Sequence, residues 1–274
     1  MKAAILASIG ALFLMEIIAI TGCNKHAAGQ NSGNEIAADK TNSAPEDDSW
    51  LTPDLTFAMV RQSAPQVRIL PTRFATRRGP MGNTEMTKWA GIDVPMSQIF
   101  RGAYRWSTGR IIFAVPEPSE RYDFIATLPQ GSCEALQQEL QKQFGLVGQA
   151  ETTNTEVLVL NVRTPNAPGL KPPVIGGQKD YTTRSTSGGV FVCNNSPLST
   201  DAEPFAGLQR FLENNFEMPV VDETGLTGNF SIDLKWTESG PNHKGLEQAL
   251  ANQLGLELVP GNRSIEVLVV EKAD

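Results

Sequence analysis

Residues 136–160, LQQELQKQFGLVGQAETTNTEVLVL, return at residues 246–270 as LEQALANQLGLELVPGNRSIEVLVV. The shift is 110 without a gap, and ten of the 25 aligned residues are identical: Leu136, Gln138, Leu140, Gln143, Gly145, Leu146, Glu156, Val157, Leu158 and Val159 all recur. Self-similarity of this kind marks one supersecondary unit present twice. In the first copy, residues 133–144 put Leu136, Leu140 and Phe144 on one helical face, and Gly145 suits a left-handed cap. Residues 156–162 then read as a closing strand, its Val and Leu run buried on both faces.

The flanking segments repeat in the same order. Before the first copy, residues 66–74 predict an edge strand around Pro71, and residues 95–106 a helix with Met96, Ile99, Phe100 and Ala103 at helical spacing. Residues 110–115 and 122–128 predict short strands. Before the second copy come a strand at 189–193, a helix at 205–216 with Leu208, Phe211 and Leu212 inward, and strands at 219–221 and 230–236. Phe230, Ile232, Leu234 and Trp236 match Tyr122, Phe124, Ala126 and Leu128 at an offset of 108. The second unit ends with a helix at 245–254 and a strand at 266–270. The expected fold is α+β: two tandem β-α-β-β-α-β domains from an internal duplication, at residues 50–163 and 178–274. A proline- and glycine-rich linker, residues 164–177, joins them.

The first 23 residues read as an export signal. Lys2 gives the positive start, residues 3–20 carry no charge but Glu16, and Ile20-Thr21-Gly22-Cys23 resembles a bacterial lipobox. That resemblance implies removal of residues 1–22, lipidation of Cys23 as a stable membrane anchor, and, from Asn24, an outer-membrane address facing the periplasm. Residues 23–49 lack apolar periodicity and read as a disordered tether with a reach of roughly 25–30 Å.

With 274 residues, 40% hydrophobic and 19% charged, the chain can fill two modest cores. Its net charge of −7, unchanged by loss of Lys2 and Glu16, argues against a general nucleic-acid binder. Basic residues gather between 61 and 110. Of these, Arg61, Arg68, Arg73, Arg77 and Arg78 form the candidate face for an anionic ligand, with a solvated face as the plainer reading. Cys133 and Cys193 stand one in each copy, so they either bridge the two domains or remain thiols.

Chemistry-bearing motifs are sparse. His26 falls in the tether and His243 in the turn before a helix; no metal-ligand spacing, nucleophile elbow or phosphate-binding glycine loop occurs, and no catalytic residue, metal or cofactor is expected. Glu156 and Glu266 recur but read as exposed strand-end residues. Asp222 and Glu223 read as turn formers before Thr224-Gly225-Leu226-Thr227-Gly228.

The stretch from Pro219 to Phe230, with Asp233-Leu234-Lys235-Trp236-Thr237, Gln253-Leu254-Gly255-Leu256-Glu257-Leu258 and Glu266-Val267-Leu268-Val269-Val270, resembles the C-terminal signature of a large soil-bacterial family of unknown function. Arg121-Tyr122-Asp123-Phe124 and Pro168-Gly169-Leu170-Lys171-Pro172 extend the likeness over roughly residues 55–274. The family implies no catalytic residues. Each half also resembles the short periplasmic N-terminal domains of secretins and TonB-dependent transducers, which are protein-interaction modules. The expected function is therefore a non-enzymatic envelope lipoprotein that binds a protein or peptide partner. The alternative is a ligand-binding or hydrolytic protein with its site between the domains.

Overall fold

Two glycines in the left-handed region, Gly145 at φ 61° and Gly255 at φ 71°, end the two repeated helices and aim the chain into two unusually long strands. The computed structural model describes residues 47–273 except 77, 83–86, 175, 177–180, 186, 199–206 and 239–242. The elements preceding the first long strand are α1 (Phe57–Gln62), β1 (Val67–Pro71), β2 (Arg78–Gly82), β3 (Trp89–Val94), α2 (Met96–Tyr104), β4 (Ile111–Phe113), β5 (Tyr122–Ala126) and α3 (Ser132–Phe144). The long strand β6 (Leu146–Val162) follows, then β7 (Tyr181–Ser185), β8 (Gly188–Pro197), α4 (Leu208–Phe216), β9 (Val220–Asp222), β10 (Asn229–Thr237) and α5 (Lys244–Ala249). A π turn, Leu250–Leu254, extends α5, and the second long strand, β11 (Leu256–Lys272), closes the fold. The chain is α+β.

β6 and β11, 17 residues each, pair antiparallel from Leu146↔Lys272 to Val162↔Leu256. Asn154 faces Ser264, its own counterpart in the repeat at an offset of 110, so a local two-fold axis passes through that pair. Hydrogen bonds at the two ends obey it: the Arg163 amide donates to the Gly255 carbonyl at 2.9 Å, and the Ala273 amide to the Gly145 carbonyl at 2.8 Å. Short parallel strands complete the sheet in the order β4-β11-β6-β9. Thus β4, from the N-terminal half, lies on the end of β11, and β9, from the C-terminal half, lies on the end of β6.

The cores follow this exchange. Phe100, Phe124, Leu136 and Leu140 pack with Leu268 and Val270 from the far end of the chain. Phe191, Leu212, Leu234 and Leu246 pack with Leu158 and Leu160, which precede the linker. Each half is finished by a strand end from the other, and the two share one compact unit, Glu46–Asp274, rather than closing separately at residue 163. A third cluster, Trp50, Leu55, Val60, Ala90, Ile92 and Ile125, covers the outer face of the first sheet, whose order is β1-β5-β3-β2. With both faces covered, β3 is buried along its full length.

Most elements fall where periodicity placed them, and β1 is an edge strand as expected. The closing strands are longer than the expected 156–162 and 266–270. Their middles, around Thr152 and Asn262, are exposed and lack an apolar stripe, because no core lies against them; inter-strand hydrogen bonds and the exposed Arg263–Glu223 ion pair hold them. Glu156 and Glu266 are exposed, but they stand inside the ribbon rather than at strand ends.

Candidate binding site

A cavity of about 310 Å³ lies beside β10 in the sheet ordered β10-β8-β7. Its lining comes from Gly169, Lys171 and Val174 in the segment after β6, from Val192, Cys193 and Asn194 on β8, from Ser231, Ile232 and Asp233 on β10, and from Gln253 on the π turn.

Local sequence explains the shape. A bulge between Phe230 and Ile232 sets Asn194 and Asn195 of β8 against the single residue Ser231, and Asn195 takes φ 58°. The bulge releases the Asn194 amide, which accepts from the Val174 amide and donates to its carbonyl, both at 3.0 Å. The Ser231 hydroxyl donates to the same Asn194 oxygen. Lys171 and Ser231 exchange main-chain hydrogen bonds at 3.3 and 2.8 Å, so the segment is pinned to the sheet at two places. Gly169 allows its other end to pass the π turn: a Cβ there would stand 1.8 Å from the Gln253 carbonyl oxygen. Gly169→Ala is expected to push this segment off the π turn and to destabilise the chain by about 1–3 kcal/mol. Thermal unfolding checks the loss, and unchanged stability would show that the contact relaxes freely.

Gln253 turns its side chain onto the same strand edge. Its amide accepts from the Lys235 amide at 3.1 Å and donates to the Lys235 carbonyl at 2.5 Å. A π turn is a common local distortion at functional sites, and here it aims this side chain. Its counterpart in the repeat, Gln143, sits on a regular helix and donates to Glu139 on the same helix.

The other singled-out residues lie elsewhere in the chain. Arg61 lies on α1, Arg68 on β1 in an ion pair with Asp48 at 2.5 Å, Arg73 just past β1, and Arg78 at the start of β2, so the candidate anionic face is spread over separate elements. Arg77, His26, Cys23 and most of the tether lie outside the described residues. Asp123 is fully buried, accepting from the Thr72 hydroxyl at 2.7 Å and the Asp93 amide at 2.9 Å, while Arg121 binds Asp93 at 2.5 Å. The Arg-Tyr-Asp-Phe stretch therefore fixes the bend of β3 at Asp93, φ 52°. Asp222 accepts from the amide and hydroxyl of Thr224, as a turn former does. His243 stands immediately before α5.

Cys133 and Cys193 are both thiols and form no bridge, because they belong to different cores. Burial, then the Glu134 charge, pushes the Cys133 thiol up. Alkylation of the native chain without reductant is expected to label both residues separately and slowly, as peptide mass spectrometry would show. Recovery of a peptide pair joined through Cys133 and Cys193 would contradict this.

Between the halves, the place expected for the alternative site holds a buried ion-pair network. Glu213 on α4, 1% exposed, accepts from Arg110 at 2.5 Å, from the Ser107 hydroxyl at 2.5 Å and from the Val220 amide at 3.1 Å. Burial and the Arg101 charge push the neighbouring Arg210 guanidinium down to about 9, with Glu213 opposing them. Among the described residues, no three His, Cys, Asp or Glu side chains gather as metal ligands.

Residues 97–273 match the DUF3738 family, described as a protein of unknown function, and the chain belongs to that family. The whole cavity lies inside the matched segment. No curated protein and no solved structure matches the chain.

Proposed function

We propose that this chain is a non-enzymatic lipoprotein of the bacterial cell envelope, anchored through Cys23, whose folded part binds a protein or peptide partner. The observation that carries the binding role is the cavity on the edge of β10, with main-chain and amide groups at its rim and an apolar floor of Val192, Cys193 and Ile232. Shaped sites of this size, apolar with a few placed polar groups, are the usual form of a recognition pocket. The lipobox and the tether support the anchoring, and internal duplication accounts for the repeat. The likeness to secretin and TonB-associated domains agrees with an interaction role.

Two experiments test this reading. Radiolabelled palmitate is expected to enter the chain and to be lost in Cys23→Ala. A photo-crosslinking residue at Val174, which is 58% exposed beside the cavity, is expected to trap a partner in envelope fractions that the same residue at Glu151 on the ribbon does not. Equal yields from both positions, or none, would remove the support for this surface.

A further inference from the structure

On β10, Ser231 gives its amide and carbonyl to Lys171, and Lys235 gives both of its groups to the Gln253 side chain. Both residues therefore point their main chain away from β8. The alternation of an antiparallel ladder turns Asp233, midway between them, the same way. Asp233 lines the cavity, and outside the β8 ladder its amide and carbonyl make no main-chain hydrogen bond among the described residues.

The N-terminal half shows what fills such an edge. At the offset of 108, Ser231 corresponds to Asp123 and Asp233 to Ile125. There the complete strand β1 lies antiparallel along β5, with Leu70 opposite Asp123 and Arg68 opposite Ile125. In the C-terminal half the described residues in that place make one bridge, at Lys171, and Gly169 then passes to the π turn. The neighbour on the other side, Gln253, supplies an amide, the same donor and acceptor pair that a strand would present. Ser231 to Lys235 spans roughly 13 Å, room for one residue pair between them.

We propose that Asp233 is the main-chain docking point for an extended peptide running antiparallel to β10. One peptide residue exchanges both hydrogen bonds with Asp233, and a neighbouring apolar side chain packs on Val174 and Val192. This mode of strand addition takes affinity from the main chain and specificity from the pocket. The proposal rests on the interaction role above and assigns it a chemistry.

The test uses the full chain and the blocked peptide acetyl-Thr-Val-Thr-Val-Thr-amide, beside a version N-methylated at its central Thr and so lacking that N–H. The unmodified peptide is expected to shift the NMR amide signals of Ser231–Lys235 and Lys171. Asp233→Asn, which keeps the main chain, is expected to bind within about twofold of the parent. Asp233→Pro removes an edge amide that points away from β8, together with an exposed carboxylate that pairs with Lys235 and that Asp233→Asn controls for, so the sheet is expected to persist while binding weakens by about tenfold. The N-methylated peptide is expected to weaken similarly. Equal binding of the two peptides, full binding by Asp233→Pro, or shifts confined to other residues would overturn the proposal. Should Asp233→Pro unfold, the peptide pair still decides. Partner crosslinking at Val174 without these peptide effects would leave the interaction role standing and remove only strand addition.

Discussion

Glu213→Ala is expected to lower the unfolding free energy by about 3–5 kcal/mol, measured by urea titration of the purified chain. The carboxylate is buried on α4 and accepts from the Arg110 guanidinium, the Ser107 hydroxyl, the Val220 amide and, at 3.5 Å, the Gln209 side-chain amide. Arg110 in turn donates to the Val220 carbonyl at 3.0 Å, so one ion pair joins the turn before β4, helix α4 and strand β9. Removing the acid leaves a largely buried cation and a buried amide without their acceptor, which costs more than the pair itself contributes. The double replacement Glu213→Leu with Arg110→Met is expected to recover much of the loss, since neither charge then remains buried. A loss below about 1 kcal/mol for Glu213→Ala would place this pair with exposed salt bridges instead.

Leu160→Ala is expected to cost about 2–5 kcal/mol, the usual range for emptying a buried leucine site. Its location carries the sharper prediction. Leu160 precedes the proline-rich segment in sequence, yet it is fully buried among Leu212, Leu234 and Leu246. Hydrogen exchange should therefore speed up most in α4 and β10, not in α2 or α3. Leu268→Ala, at the end of β11, should act conversely on α2 and α3. If each substitution loosened the half in which it lies by sequence, the strand exchange would be refuted.

Much of the fold was legible because its local signals are strong. Leu136, Leu140 and Gly145 announce α3 and its cap, and the alternation of Ile232, Leu234 and Trp236 announces β10. Strand β3 was not legible, since its residues are buried on both faces and show no period of two. The ribbon middles were invisible for the opposite reason: Thr152, Asn154 and Asn262 touch no core, so nothing selects apolar residues there. Gly169, Lys171 and Asp233 were marked only by a resemblance, whereas Gln253 was marked by the repeat as well. Asn194 and Ser231 carried no signal, because their roles depend on a bulge between strands that are distant in sequence.

The amino-acid sequence alone determined the repeat, the type and order of most elements, and the two glycine caps, all of which arise from interactions a few residues apart. Tertiary structure decided which half receives each long strand and which residue of β10 is left open. Strand ends exchange because β6 and β11 satisfy each other's hydrogen bonds along their whole length, which carries Leu158 and Leu160 into one core and Leu268 and Val270 into the other. Asp233 is open because Lys171 and Gln253 cover the positions on either side of it, and neither is near it in the chain.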